Sequence, residues 1–116
     1  MINSYDIETF VDKDKKIIPY CVCFLFKKKF FNVYYDINKD IILESLNLIF
    51  SLNSNAKNII YVHNLNFDGI IILSSLSLSN IYKFESFIRD GSIYSLLVFN
   101  KNSTVEFKCS YKILHL

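Results

Sequence analysis

The sequence predicts an α/β protein, a mixed sheet with crossover helices. Apolar runs of strand length fill the first third of the chain. After residue 38 the apolar spacing becomes helical, and a single strand-like run at 58–64 is followed by a second helical stretch. The last third returns to strand-like runs around an Asp90-Gly91 pair. A helix lying between two strands is the usual way to connect strands that run parallel, so this order implies crossover connections.

Residues 2–9 read as the first strand. Side chains alternate faces in a strand, so Asp6 and Glu8 share one face and Ile7 takes the other. Residues 16–27 are apolar on both faces, as a buried strand would be, and "FFNVYY" at 30–35 gives a third strand after Lys27, Lys28 and Lys29. These three suggest an antiparallel meander. In "NKDIILESLNLIFSLN" the residues Ile42, Leu46, Ile49 and Phe50 fall on one helical stripe, with Asn38 as the cap and the end near 53–55. "NIIYVHN" (58–64) suits a central strand. Residues 68–79 read as a helix with Asp68 near its start, although their serine–leucine alternation also fits a strand. "YKFESFIR" and "SIYSLLVF" flank Asp90-Gly91, a strong two-residue hairpin signal. "NKNST" then turns the chain into a last strand, "VEFKCSYKIL". If strand 58–64 lies parallel to strand 2–9, the segment from Asn64 to Asp68 arrives near Asp6 and Glu8. That is the layout of a ribonuclease-H-like fold.

With 116 residues, 52% of them apolar, the chain makes one domain, 1–116, with ample material for a core. A net charge of +2 names no partner by itself. The clusters Lys13, Lys15, Lys16 and Lys27, Lys28, Lys29 read first as solvated turns. Cys21, Cys23 and Cys109 read as reduced core residues of an intracellular protein, and with His63 and His115 the two histidines, a zinc site is not expected. The longest apolar run, "IIPYCVCFLF", is about half of what a bilayer needs and contains Pro19, so no membrane span is expected. The polar, acidic start does not read as a signal peptide. Abundant Lys, Asn and Ile, with few Ala and Gly, suggest an AT-rich genome.

Two like charges on one strand face need solvent, a basic partner or a cation. Asp6, Glu8 and Asp68 could converge at one end of the sheet, where oxygen-only ligands favour Mg²⁺ or Mn²⁺. Two such ions, roughly 4 Å apart, support phosphodiester cleavage without a covalent nucleophile. The plain alternatives stay open on residue pattern alone: an exposed strand end for Asp6 and Glu8, a helix cap for Asp68, strand-closing residues for His63 and Asn64, and a core ring for Phe67.

The stretch "YVHNLNFDG" (61–69) closely resembles the second exonuclease motif of protein-primed family B DNA polymerases, the branch found in mitochondrial linear plasmids and some bacteriophages. "YDIETF" (5–10) resembles the first motif of that branch, and "FIRDGSIYSLLVF" with "FKCSYKILHL" resembles the hairpin and strand that follow. The resemblance covers essentially the whole chain and implies an incomplete 3′-5′ exonuclease domain of ribonuclease-H-like fold. It implies that Asp6, Glu8 and Asp68 are catalytic metal ligands for Mg²⁺ or Mn²⁺, and that Thr9, His63, Asn64 and Phe67 hold the 3′ end of single-stranded DNA. A phenyl ring stacks on any base, and amide and hydroxyl groups grip sugar and phosphate without reading sequence. Two departures stand against full activity. No third acidic motif and no polymerase region is found here, and Cys109 stands where the branch usually has Asp. The resemblance therefore implies a truncated polymerase fragment, weakly active at best, with a mitochondrial location, organelle- or plasmid-encoded. The alternatives are a non-catalytic single-stranded nucleic-acid-binding module or non-functional remnant, and an independent ribonuclease of the same fold.

Overall fold

The computed structural model describes residues 2–53, 56–101 and 103–110. Along the chain run β1 (Asn3–Val11), β2 (Ile17–Phe26), β3 (Lys29–Tyr34), α1 (Ile41–Leu52), β4 (Lys57–Val62), α2 (Leu65–Ser77), β5 (Lys83–Arg89), β6 (Ser92–Asn100) and β7 (Ser103–Cys109). Among the described residues the strands form one seven-stranded sheet in the order β3-β2-β1-β4-β7-β6-β5. The β1–β4 and β4–β7 pairs are parallel and the others antiparallel. The α/β class, the meander, the parallel placement of β4 beside β1 and the Asp90-Gly91 hairpin all stand as expected from sequence.

Topology places both helices on one side. The connection through α1 leads from β3 to β4, and that through α2 leads from β4 to β5, in the same direction across the sheet. Each joins parallel strands. Right-handed crossovers that travel the same way lie on the same face. The helices accordingly meet: Ser75 of α2 donates to Asp40 at the start of α1 over 3.1 Å. Under them lies one core. Tyr5 and Ile7 of β1, Val22, Phe24 and Phe26 of β2, Ile60 and Val62 of β4, and Val105 and Phe107 of β7 face Ile42, Leu46, Ile49, Leu65, Ile72 and Leu76 of the helices. Tyr5 sits at its centre, its ring edge-on to Phe107 at 5.2 Å, its hydroxyl 2.7 Å from Ser45 of α1. The opposite face of the sheet carries Asp6 and Glu8, both exposed.

Several boundaries differ from expectation. The cap of α1 is Asp40, whose carboxylate accepts from the amides of Ile42 and Leu43. Asn38 instead lies in the preceding turn, its amide bonded to Asp36. Asp wins because it sits directly before Ile41, the first residue whose burial fixes the helix. β4 stops at Val62, so His63 and Asn64 form a turn rather than the end of a strand. α2 begins at Leu65, three positions before the expected start, because Leu65 is fully buried and anchors the first turn. The final strand ends at Cys109, short of the expected 114, and 111–116 lie outside the described residues. The hairpin turn takes positive φ at both Asp90 (52°) and Gly91 (77°), the backbone of a two-residue turn that matches strand twist.

Candidate metal centre

The geometry of the candidate site follows from where the β1–β4 ladder stops. These parallel strands pair at Asn3–Ile60 and Ser4–Tyr61, and beyond Ser4 the β1 edge has no strand partner on that side. An unpaired buried amide is costly, and a side chain from α2 supplies the missing acceptor. Asp68 Oδ2 accepts from the backbone amide of Ile7 at 3.2 Å. Ile7 is the residue between Asp6 and Glu8. Asp68 is therefore bonded to the backbone that carries Asp6 and Glu8.

One side-chain contact and one glycine fix the start of α2. Asn66 Oδ1 accepts from the Ile93 amide at 3.1 Å, pinning the turn to β6. Gly69 lets the helix approach closely, since a Cβ there would stand 3.2 Å from Ile93 Cδ1 and 3.4 Å from Leu65 Cδ1. At the helix start the Asn64 carbonyl accepts from the amides of Phe67 and Asp68 at 3.0 and 3.2 Å, while its side chain makes no capping bond. On β1, the β2 partner register slips between Glu8 and Thr9, a bulge of the kind that re-aims side chains beside functional sites. Thr9 is half-buried; His63, Asn64 and Phe67 are exposed. These four occupy the rim formed by the C-terminal ends of β1 and β4, where open α/β sheets bind ligands.

The electrostatics of the three acids are those of an uncompensated cluster. Asp68 is only 6% exposed. Burial, opposed by the Ile7 amide and reinforced by the charges of Asp6 and Glu8, pushes its carboxyl up to about 6. A side-chain hydrogen bond with Asp6, and then the Asp6 charge, raise Glu8 as well. No cation figures among these influences. Among the described residues, ion pairs form at Lys39–Glu44 and Lys57–Glu106, elsewhere on the surface.

Whether the donors fit a divalent cation can be tested on this arrangement. Among the described residues no three His, Cys, Asp or Glu side chains already enclose an ion position. The chemistry of the three carboxylates nonetheless fits: all donors are oxygens, the Asp6 charge raises the proton affinity of Glu8, the charges of Asp6 and Glu8 help raise that of Asp68, and Asp6 and Glu8 are exposed to solvent. A hard cation relieves that repulsion. Softer ligation is disfavoured. Cys23 and Cys21, the β2 partners of Asp6 and Glu8, stand with their sulfurs 3.4 Å apart as free thiols. Burial first, then the Cys21 hydrogen bond, pushes the Cys23 thiol up to about 11.

Sequence reading missed three supporting groups. Asn66 lies inside the quoted motif, yet its bond to Ile93 needs the fold to be seen. Asp40 both caps α1 and holds Ser75. Asn53, fully buried, donates to the Ala56 and Thr104 carbonyls at 3.1 Å and accepts from Asn58, tying the end of α1 to β4 and β7. Only Asn53 carried a signal, being a polar residue at the end of a helical apolar pattern.

Fold and site together define a ribonuclease-H-like α/β domain with acids clustered at the C-terminal ends of adjacent parallel strands. The chain is 31% identical over 100 residues to a "Probable DNA polymerase" of Ascobolus immersus, covering 84% of this chain and 8% of that protein. Its fold matches part of a solved structure, Phi29 DNA polymerase complexed with primer-template DNA and incoming nucleotide substrates. That match has a TM-score of 0.67 at 16% identity and covers 96% of this chain and 20% of the other. No family model matches the chain. The chain thus resembles part of a probable DNA polymerase in sequence and part of Phi29 DNA polymerase in fold, and it spans a small share of each.

Proposed function

We propose that this chain is the 3′-5′ proofreading exonuclease portion of a protein-primed DNA polymerase, acting on the 3′ end of single-stranded DNA. The bond from the Ile7 amide to Asp68 carries the reading, because it ties the acid of the second motif to the backbone between the two acids of the first. Asp6, Glu8 and Asp68 would hold Mg²⁺ or Mn²⁺. Bound there, the ions supply an activated water and charge stabilisation for the leaving oxygen. The chain's own residues do the rest. Thr9 and Asn64 offer a hydroxyl and an amide to the sugar–phosphate backbone, His63 stands on the same turn, and Phe67, 40% exposed on the first turn of α2, offers a ring face to a base. None of these groups selects a base, which suits an activity that must accept any 3′ nucleotide. We place the protein in mitochondria, organelle- or plasmid-encoded, on the resemblance and the AT-rich residue usage.

A 3′-tailed, 5′-labelled DNA oligonucleotide incubated with Mn²⁺ tests the proposal. Stepwise shortening from the 3′ end that vanishes in Asp6→Ala is the expected result; an RNA oligonucleotide shortened faster than DNA would instead indicate a ribonuclease. A second reading has its own observation. Cys109, where the resemblance expects an acid, is buried as the register partner of Val62 and adds no ligand. On that reading the chain is a non-catalytic single-strand-binding module or a remnant, and the oligonucleotide is bound through Phe67 but never shortened.

A further inference from the structure

β5 is exposed at all seven of its positions and forms one edge of the sheet. Phe84, Phe87 and Ile88 are 37%, 49% and 65% exposed. A long edge strand with free backbone donors, acceptors and apolar side chains is a template for another strand. Its sequence, "KFESFIR", says which strand fits.

We infer that β5 pairs with β5 of a second copy of this chain, antiparallel about a two-fold axis through Phe87. In such a pairing a residue must face its own copy at the axis, because otherwise symmetry-related side chains would fall on opposite faces. Three registers then pair five or more residues of β5. Centred on Glu85, the axis opposes Glu85 to Glu85. Centred on Ser86, it opposes Lys83 to Arg89 twice. Centred on Phe87, it opposes Glu85 to Arg89 twice, with the two Phe87 rings between them on the same face. Residues directly opposite across an antiparallel pair have Cβ atoms about 5 Å apart, close enough for opposite charges to attract and like charges to repel. One register of the three is attractive. Arg89 is also held ready, its guanidinium 5.1 Å from the centre of the Tyr94 ring on the neighbouring strand. This contact is separated from β1 by β4, β7 and β6 and does not depend on the metal centre.

The test is a charge swap read by sedimentation velocity of the full chain over a range of concentrations. Glu85→Arg leaves like charges opposed in all three registers and should weaken self-association by about tenfold or more, and adding Arg89→Glu to it should restore association to within about threefold. Unchanged far-ultraviolet circular dichroism of these exposed-site variants confirms that folding is preserved. Rising salt should weaken the parent and the double swap alike. A monomeric parent overturns the inference. So does self-association that ignores the sign of these charges, which would mark undirected apolar association. A double swap no better than Glu85→Arg would also overturn it.

Discussion

Asp68 is nearly buried, and burial, with the charges of Asp6 and Glu8, pushes its carboxyl up to about 6, against an ordinary value of 3.8. The sign of the consequence is opposite to that of most folded carboxylates. The folded chain binds this proton more tightly than the unfolded chain, so protonation stabilises the fold. That contribution is complete below pH 3.8 and is lost as pH rises through about 6. Asp68→Asn keeps an oxygen to accept from Ile7 and removes the charge. It should be more stable than the parent at pH 7 by about 1–2 kcal/mol, with the advantage fading toward pH 4. Urea midpoints at pH 4, 5, 6 and 7 measure this, and an Asn variant weaker than the parent at pH 7 would refute it. The same variant should lose Mn²⁺ binding in calorimetric titration. A carboxylate that costs stability when charged is what the proposed cation site would require of Asp68.

At the scale of elements, the caps give the sharpest contrast between expectation and structure. Asp40→Ala removes the acceptor for two helix amides and for Ser75, and should cost about 1–2 kcal/mol. Asn38→Ala, at the position expected to cap, should stay within about 0.5 kcal/mol of the parent. Thermal unfolding of the two variants side by side decides the matter; equal losses would mean the assignment of the cap is wrong. The reason for the misreading is physical. Both residues are good caps, and only the burial of Ile41 against the sheet chooses between them. α2 was harder still to delimit. Its apolar residues run nearly round the helix, from buried Leu65, Ile72 and Leu76 to exposed Ile70, so no clean stripe marks where it begins. β1 was legible for the opposite reason: a period of two sends Tyr5 and Ile7 into the core and Asp6 and Glu8 to the other face. The Asp6–Glu8 pairing could be read from alternation alone. The bonds of Asn66 to Ile93, Ser75 to Asp40 and Asp68 to Ile7 could not, since each joins segments at least 27 residues apart.

For the molecule as a whole, the site and the fold share a seam. β1 and α2 meet where the β1–β4 ladder has ended, and the Asp68–Ile7 bond crosses that gap. A cation shared by Asp6, Glu8 and Asp68 would close the same seam from outside, so binding and folding are linked. Anything that binds the folded chain but not the unfolded chain raises stability by RT ln(1 + [L]/Kd), about 1.4 kcal/mol at a tenfold excess over Kd. In a domain of about 100 residues this is roughly 5–10 °C in Tm. Mn²⁺ should therefore raise the unfolding midpoint at pH 7 and flatten the pH dependence introduced by Asp68, because the ion does what the proton does at lower pH. Asp6→Ala, whose side chain is exposed and whose loss relieves repulsion, should be at least as stable as the parent without Mn²⁺ yet gain nothing from it. Differential scanning calorimetry with and without the ion, at pH 5 and pH 7, separates these terms. If Mn²⁺ shifts the parent and Asp6→Ala equally, the ion binds somewhere other than this seam, and the carboxylates are there for the fold alone.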